Sequence, residues 1–442
     1  TYAYTYNHSG FRTSETDPLG NVTQWEPDRM NRLVKKTLAS GAQYGYAYDV
    51  LGRVTGLTGP EGRSLTYAYD DRGNLASETD ALGRVTAYAY DAMHRVTGIT
   101  DANLGVTGMS YDANGNLAGL VSPEGNAEKY TYDALDRIAS RLDPAGAMTQ
   151  YVYDVMGNLT QITEPQGRTT TMSYDANGNM TGVTDALGQT TSFQYDSMDR
   201  VLKATDAGGA SVQYTYDLNG RVTQVLDPLN AATQYEYDSM GNVTLVKDAE
   251  SRATQYAYDA LDRLTSVTDG TGVTTSYGYD SVGNLVTRTD GEGKTTAYAY
   301  DLAGQLVSTT NAKGETTQNT YNEVGNRVGA QLPSGKSITY DYDALDALVQ
   351  KSYSTGEADV LYSYSPDGNL VSMRDATGDS TYTYDANGRL VSYTNAFSAT
   401  VSYAYNENGG ISAITYPDGK TVGYEYDALG RMVKVTGRDG GE

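Results

Sequence analysis

Short segments in which large and small side chains alternate recur along the whole chain. Between Thr86 and Tyr90, the side chains of Thr86, Tyr88 and Tyr90 share one face of an extended segment, because successive residues of a strand point to opposite faces. A second segment, residues 74–79, precedes this one. The pattern predicts two β-strands in each unit.

Two turns of one design connect these strands. Residues 70–73 (Asp-Asp-Arg-Gly) and 80–83 (Asp-Ala-Leu-Gly) both begin with aspartate and end with glycine, which is typical of a type I turn. The aspartate side chain accepts hydrogen bonds from backbone N–H groups further along the turn, and glycine adopts a positive φ without steric cost. We name the first the Tyr-Asp turn, because it follows a tyrosine, and the second the return turn. The predicted turn-forming residues are Asp70, Gly73, Asp80 and Gly83.

A tyrosine recurs every 21 residues from Tyr48 to Tyr342. The spacing then slips to 22 and 20 residues, which we interpret as a pair of β-bulges. Residues 17–43 carry Trp25 and Pro27 in place of the repeat aromatics, and we expect an irregular or transition repeat there. The predicted structural tyrosines are Tyr48, Tyr69, Tyr90, Tyr111, Tyr132, Tyr153, Tyr174, Tyr195, Tyr216, Tyr237, Tyr258, Tyr279, Tyr300, Tyr321, Tyr342, Tyr364, Tyr384, Tyr405 and Tyr426.

The repeat occupies residues 1–442, with irregularities at 17–43 and 343–384. This predicts a single array of about 21 units and about 42 strands, with no separate catalytic or toxin domain. Open sheets of more than about ten strands curl or split because of their twist. The predicted fold class is therefore all-β, with tandem hairpin repeats that form one long antiparallel sheet coiled into a spiral or hollow shell.

Composition agrees with a thin sheet. The 442 residues include 41 Tyr, 3 Phe, 1 Trp and 49 Gly, and the hydrophobic fraction is 38%. Tyrosine favours strands and glycine favours turns, and this apolar content leaves little for a thick aliphatic core. The net charge of −23 argues against nucleic-acid binding, which needs a basic stripe. Because the chain has no cysteine, its composition does not indicate whether it works in an oxidising or a reducing compartment. The absence of a signal peptide or start methionine before Thr1 indicates a processed or truncated piece.

The recurring sequence, seen as YAYDVLGRVT from Tyr46 to Thr55 and as YAYDALDRLT from Tyr256 to Thr265, resembles the rearrangement-hotspot (RHS) or YD-repeat family over nearly the whole chain. The resemblance implies a β-sheet wall that spirals into a hollow shell. In bacterial polymorphic toxins and insecticidal toxin complexes such shells enclose a C-terminal toxin, and in animal teneurins they serve cell adhesion. The family's self-cleaving segment, with paired aspartates in Asp-Pro contexts, is not found here, since Asp17, Asp143 and Asp227 fall in ordinary repeat turns.

The repeated residues allow two kinds of binding site. Tyrosine pairs such as Tyr88 and Tyr90 would suit sugars or peptides, but cross-strand ladders between repeats explain them better, and their hydroxyls would then face water in a cavity. The aspartate rows suit Ca²⁺, although turn capping is the favoured explanation and we predict no cofactor or metal. These rows contain Asp91, Asp112, Asp133 and Asp154, and Asp80, Asp101, Asp143 and Asp185.

Catalytic chemistry has little support, and we predict no catalytic residue. The two histidines are His8 and His94, and His94 takes the glycine slot of its turn. No histidine stands near a serine or threonine in a triad pattern. Carboxylate pairs are plentiful, but none is singled out from its row. Glycosylation sequons at Asn7, Asn21, Asn158, Asn179 and Asn242 are explained by the alternation of Asn and Arg in the motif.

Two structural functions and one enzymatic function remain open. The first is the wall of a shell that encloses a toxin or effector polypeptide in bacterial competition or toxin delivery. The second is an extracellular adhesive filament or cell-surface fibre, because uncapped sheet edges invite association between copies. The third is a carboxylate-based glycan hydrolase. The predicted partners are a cargo polypeptide or neighbouring copies, with no nucleic acid and no membrane span, and the predicted location is secreted or at the bacterial cell surface.

Overall fold

The computed structural model describes residues 1–437 as β-hairpins that follow one another along the chain. Within these residues, 42 strands belong to one sheet. Wherever the register of a pair is described, the two strands are consecutive in the chain and antiparallel. The all-β prediction of tandem hairpins in one antiparallel sheet is confirmed.

Odd-numbered strands run from a return turn to a Tyr-Asp turn and end on tyrosine, except β3, which ends on Pro27. They are β1 (Ala3–Tyr6), β3 (Val22–Pro27), β5 (Gln43–Tyr48), β7 (Ser64–Tyr69), β9 (Val85–Tyr90), β11 (Val106–Tyr111), β13 (Ala127–Tyr132), β15 (Met148–Tyr153), β17 (Thr169–Tyr174), β19 (Thr190–Tyr195), β21 (Ser211–Tyr216), β23 (Ala232–Tyr237), β25 (Ala253–Tyr258), β27 (Thr274–Tyr279), β29 (Thr295–Tyr300), β31 (Thr316–Tyr321), β33 (Ser337–Tyr342), β35 (Val360–Tyr364), β37 (Gly378–Tyr384), β39 (Thr400–Tyr405) and β41 (Thr421–Tyr426).

Even-numbered strands return from the Tyr-Asp turn, and most begin on an aliphatic residue. They are β2 (Arg12–Thr16), β4 (Leu33–Thr37), β6 (Val54–Thr58), β8 (Leu75–Asp80), β10 (Val96–Thr100), β12 (Leu117–Val121), β14 (Ile138–Leu142), β16 (Leu159–Thr163), β18 (Met180–Thr184), β20 (Val201–Thr205), β22 (Val222–Leu226), β24 (Val243–Lys247), β26 (Leu264–Thr268), β28 (Leu285–Thr289), β30 (Leu306–Thr310), β32 (Arg327–Gln331), β34 (Leu348–Tyr353), β36 (Leu370–Asp375), β38 (Leu390–Thr394), β40 (Ile411–Thr415) and β42 (Met432–Thr436). One 3₁₀ turn, Pro165–Gly167, lies between β16 and β17.

Each Tyr-Asp hairpin whose register is described contains a β-bulge next to the last residue of its odd-numbered strand, which is tyrosine except at Pro27. Ala68 lies opposite Ser77, but the next residue, Tyr69, lies opposite Leu75. Ala76 is therefore an extra residue on β8, and the same shift occurs in the other described pairs of this type. A bulge bends the strand and increases its twist. The pairs joined by return turns, such as Ser77 opposite Ala87, have no such shift.

Two predicted irregularities differ from the structure. Residues 17–43 keep the ordinary hairpins, and Pro27 takes the position of the tyrosine beside the bulge, where a missing N–H is tolerated. The slip after Tyr342 is not a bulge pair. Its longer step comes from residues 354–359 between β34 and β35, and its shorter step comes from the two-residue turn 376–377 between β36 and β37.

Burial in this sheet is shallow. The most buried hydrophobic residues among the described positions are Ala42, Ala330 and Tyr340, at 0%, 7% and 9% exposure. Most column tyrosines are half-buried. Stability must therefore come from contacts between neighbouring strands and turns rather than from a thick core.

The chain divides into two compact units. Unit 1 contains Thr1–Ala89, Leu218–Gln224 and Ala232–Ala358, and unit 2 contains Tyr90–Asp217, Val225–Ala231 and the residues from Asp359 onward. Each unit thus combines an early and a late part of the sequence. The prediction of a single array without a separate domain stays a prediction.

Candidate functional site

The turns have the hydrogen bonds that a capped type I turn requires. In the Tyr-Asp turn, Asp70 Oδ1 accepts hydrogen bonds from the N–H groups of Arg72 and Asn74 at 2.9 and 2.8 Å. Gly73 N–H donates to the Asp70 carbonyl at 3.0 Å, with φ at +89°. In the return turn, Gly83 N–H donates to the Asp80 carbonyl at 3.0 Å, with φ at +77°. The same backbone bond forms in the Asp-Pro turns that begin at Asp17, Asp143 and Asp227.

The fourth position of each turn tests whether backbone conformation alone requires glycine. Gly178 has φ at +89°, and a Cβ there would meet nothing closer than 3.7 Å. We expect Gly178→Ala to lower the free energy of unfolding by about 1–2 kcal/mol through left-handed strain. Gly178→Asn should restore most of this loss, because Asn31 and His94 already adopt φ of 64° in this slot. Chemical denaturation would measure both, and equal losses would contradict the conformational explanation.

An arginine after the Tyr-Asp turn joins the turn to the tyrosine of the next repeat. Arg53 Nε donates to Asp49 Oδ2 at 2.6 Å, and the Arg53 guanidinium lies 4.3 Å from the centre of the Tyr69 ring. This is a cation–π contact on a half-buried ring. The same arrangement, at 4.5 to 4.7 Å, occurs in the pairs Arg32–Tyr48, Arg95–Tyr111, Arg137–Tyr153, Arg200–Tyr216, Arg221–Tyr237, Arg263–Tyr279 and Arg389–Tyr405.

The column tyrosines also bond to the backbone of the preceding repeat. Tyr69 Oη donates to the Val54 carbonyl, 15 residues earlier, at 2.7 Å. Burial raises the pKa of Tyr216 and Tyr258, which keeps these hydroxyls protonated as donors. Within residues 1–437, this contact at 2.7 to 2.9 Å and a spacing of 15 is made by residues that include Tyr48, Tyr69, Tyr111, Tyr132, Tyr174, Tyr195, Tyr216, Tyr237, Tyr258, Tyr279, Tyr321, Tyr342, Tyr405 and Tyr426.

These contacts correct part of the expected role of tyrosine. The hydroxyls of these column tyrosines donate to main-chain carbonyls rather than to water in a cavity, and Tyr88 Oη donates to Glu78 Oε1 at 2.9 Å. Ring-to-ring contact does occur, as in Tyr382 and Tyr393 with centres 5.2 Å apart. At many column positions, however, the ring contacts a guanidinium, because arginine and the tyrosine of the following repeat lie side by side on adjacent strands.

Asparagine replaces arginine in other repeats and couples neighbouring turns. Asn116 Nδ2 donates to Asp112 Oδ2 in its own turn at 3.2 Å and to Asp136 Oδ1 in the next Tyr-Asp turn at 2.7 Å. Asp136 occupies the glycine slot with φ at +59°. Sequence reasoning missed this coupling, although its signal is visible as an Asn 20 residues before each such Asp: Asn116 and Asp136, Asn179 and Asp199, Asn242 and Asp262, Asn326 and Asp346.

The sequon asparagines take part in the same bonds. Asn21, Asn158, Asn179 and Asn242 donate from Nδ2 to the first aspartate of their own turn at 2.8 to 3.1 Å. Asn7 Nδ2 donates to Asn31 Oδ1 at 3.3 Å. A glycan on Nδ2 would disrupt these bonds, which supports a structural origin of the sequons.

Two Tyr-Asp turn aspartates, Asp154 and Asp196, show how their turns favour the carboxylate form. The hydrogen bond from the Arg200 side chain lowers the pKa of Asp196 below its usual value, and the bond from the Asn158 side chain does the same for Asp154. Backbone N–H donors within each turn add to this effect. The oxygens of these aspartates thus already accept hydrogen bonds from donors within their turns.

A seam joins distant turns within unit 1. Arg84, which follows a return turn, donates from Nη1 to Asp346 Oδ1 at 2.6 Å, 262 residues later, while its Nε binds Asp80 at 2.6 Å. The hydrogen bond that Arg84 donates to Asp346 raises the pKa of Arg84 and lowers the pKa of Asp346. A cleft of about 400 Å³ lies beside this pair, lined by Tyr44, Leu65 and Val324 among others.

Unit 2 contains a similar seam with different residues. Asp367 in a Tyr-Asp turn accepts hydrogen bonds from Ser122 Oγ at 2.7 Å, Asn126 Nδ2 at 2.8 Å and Glu124 N–H at 3.0 Å. Asn387 Nδ2 donates to Asp143 Oδ2 at 2.8 Å. In both units, return turns of the earlier residues thus contact Tyr-Asp turns of the later residues. We call these contacts the unit 1 seam and the unit 2 seam.

Other candidate sites have structural surroundings. His94 lies in the fourth position of a Tyr-Asp turn, and its N–H donates to the Asp91 carbonyl at 3.2 Å. Across residues 1–437, no group of three or more acidic or histidine side chains is arranged to hold a metal ion. In the same part of the chain, no helix has the length and apolar character needed to cross a membrane.

Comparison with protein families gives a match to these repeats. A model described as Teneurin YD-shell matches residues 129–277 and 351–437, which is more than half of the chain. The chain belongs to the YD-shell family. A second model, RHS Repeat, matches this YD-shell chain at residues 6–43, 28–64, 69–106 and 279–316. The family resemblance inferred from the tyrosine motif is confirmed, and a structural role in a shell is the function that this family supports. The comparison with curated proteins found no match.

Solved structures share the fold of this YD-shell chain. The crystal structure of TcdB2-TccC3-Cdc42 is similar at 14% identity and a TM-score of 0.59, covering 97% of this chain and 27% of that chain. The crystal structure of TcdB2-TccC3 without its hypervariable C-terminal region is similar at 16% identity and 0.59, with the same coverage. The YD-shell chain therefore spans 27% of the length of these solved chains.

Proposed function

We propose that this array forms part of the wall of a β-shell that encloses a toxin or effector polypeptide in bacterial competition or toxin delivery. The observation that carries the proposal is the seam, in which later Tyr-Asp turns bind earlier return turns within each unit. A sheet that only extended would leave those turns in water. The YD-shell match and the fold shared with chains that contain TccC3 support the same function. Export from the cell and the absence of catalysis are parts of this proposal.

Electron microscopy of the native protein at near-residue resolution tests the enclosure. We expect closed particles whose wall follows the hairpin repeats and whose interior contains additional polypeptide density. Mass spectrometry of the same particles would identify that polypeptide. Open sheets, or regular fibres without internal density, would contradict the proposal, and fibres would favour an adhesive filament instead.

Opening the unit 1 seam should expose the cargo. Arg84 is 16% exposed and binds Asp346, which is 46% exposed, across the seam, so Arg84→Ala removes a charge-assisted bond that is worth about 1 kcal/mol. We expect limited proteolysis of the enclosed polypeptide to become at least several-fold faster. Arg252→Ala is the matched control, because Arg252 binds Asp248 in the same position of another return turn and is 72% exposed. Equal digestion rates in the two variants would count against a seam that closes the wall.

A further inference from the structure

The third residue of the Tyr-Asp turn is a contact position in the unit 2 seam. Asp367, Asn387 and Asn408 occupy it in the later residues of unit 2. They bind return-turn residues 122–126, 143–145 and Gln166, at 2.7 to 3.1 Å. The side chain at this position therefore projects from the edge of the sheet and can contact a segment that packs against that edge.

In the earlier residues of unit 2, the same position is apolar and exposed. Met93, Leu135, Met156 and Met198 have exposures of 71%, 68%, 78% and 65%. We name these four residues the methionine row. Asn114 and Asn177 stand between them and bind Asp136 and Asp199 of the next turns, which leaves the apolar side chains as the outward groups.

The methionine row is long enough to act as an interface. Met93 and Met198 are separated by five repeats, and at two strands per repeat and roughly 4.8 Å per strand the row extends about 50 Å. Contiguous exposed apolar patches mark interaction sites, and Leu135 and Met156 lie in consecutive repeats at the centre of this row. Methionine suits contact with irregular surfaces because its side chain is flexible and polarisable.

The opposite edge of unit 2 carries a complementary group. Return turns and Tyr-Asp turns lie at opposite ends of the strands, so the later return turns form the other edge. Phe397 is the third residue of one of these turns and is 79% exposed. In the unit 2 seam, the two kinds of edge already bind each other within one chain.

We propose that the methionine row of one copy binds the return-turn edge around Phe397 of a second copy. This contact between two copies would use the same pairing of edges, Tyr-Asp turns against return turns, that forms the seam within unit 2. Because the two edges differ, the interface is heterologous, and each copy keeps one free edge after it pairs. Longer assemblies therefore form as concentration rises. This interaction does not depend on what the wall encloses, so either proposal can fail alone.

The first test is sedimentation of the 442-residue chain over a range of concentrations up to about 100 µM, which detects association with dissociation constants in the micromolar range. The row variant combines Met93→Asp, Met156→Asp and Met198→Asp, which the turn should accept because Asp367 occupies the same position. We expect at least a tenfold rise in the midpoint of association. Val152→Asp, at an exposed strand position with 49% exposure, is the control and should associate like the parent chain.

The second test distinguishes the heterologous contact from other modes of association. Phe397→Asp should also raise the midpoint at least tenfold. An equimolar mixture of the row variant and the Phe397→Asp variant should form dimers and nothing larger, because only one intact pair of edges remains. A parent chain that is monomeric throughout, unchanged association of the row variant, or a mixture without dimers would overturn the proposal.

Discussion

Tyr195→Ala should lower the free energy of unfolding of the central repeats by about 3 kcal/mol, the lower end of the range for large aromatic truncations because the ring is only half-buried. The substitution removes the ring between two strands and leaves the Met180 carbonyl without the Tyr195 hydroxyl that donates to it at 2.8 Å. Hydrogen exchange would locate the loss in the repeats around β19, and chemical denaturation would give its size. An unchanged unfolding profile would refute the structural role of the column.

Two further variants divide this effect into its parts. Tyr195→Phe keeps the ring and should cost about 1 kcal/mol, the usual value of one hydrogen bond. Tyr216→Ala should cost about 0.5–1 kcal/mol more than Tyr195→Ala, because the Arg200 guanidinium lies 4.5 Å from the Tyr216 ring. If Tyr195→Phe matched Tyr195→Ala, the hydroxyl alone would explain the column.

The array should lose stability steeply in acid. Side-chain hydrogen bonds from Arg200, Asn158 and Asn242 lower the pKa values of Asp196, Asp154 and Asp238 in the folded chain. A group with a lowered folded pKa stabilises the fold above its unfolded pKa of about 4, and this contribution is lost as pH falls through the folded value. We expect a nearly constant melting temperature between pH 7 and pH 5 and a steep fall below about pH 4, measured by circular dichroism.

Natural asparagines in the same turn supply the control for this acid response. Asn322 Oδ1 accepts the N–H groups of Val324 and Asn326 at 3.3 and 2.8 Å, so asparagine keeps the turn without a titrating group. Asp154→Asn combined with Asp238→Asn should therefore reduce the fall in melting temperature between pH 5 and pH 3. If the parent and this variant lost stability in parallel, protonation of the turn aspartates would not be the cause.

Local sequence was sufficient to predict the hairpins. The 21-residue period, the Asp and Gly positions and the tyrosine column reflect interactions within about one repeat, and the strands follow these positions to within one or two residues. Pro27 misled the interpretation because it replaces an aromatic residue. Its position beside a bulge needs no backbone N–H, so the hairpin there is ordinary.

The seams were beyond what one repeat could show. Arg84 and Asp346 are 262 residues apart, and neither differs in type from arginines and aspartates that bind inside their own turns. The hydrogen bond from the tyrosine hydroxyl to a backbone carbonyl was also not predicted. The alternation of side chains predicts the face of the sheet on which a ring lies, but it does not predict which carbonyl the hydroxyl contacts. By contrast, the Asn–Asp coupling between neighbouring turns left a signal in the spacing of Asn116 and Asp136.

The bulge beside each tyrosine bears on how such a chain can change length over generations. Its register is the same in hairpin after hairpin. Unequal crossing-over in the gene that removes or duplicates one whole repeat therefore leaves neighbouring strands that still pair in the same register. A one-residue insertion inside a strand would turn the side chains that follow it to the other face of the sheet, whereas the segments 354–359 and 376–377 show that a change of one residue is accommodated between strands. A one-repeat change would nevertheless move Arg84 away from Asp346. Repeat number can therefore vary in steps of one hairpin, and natural selection on the seams decides which of those lengths persist.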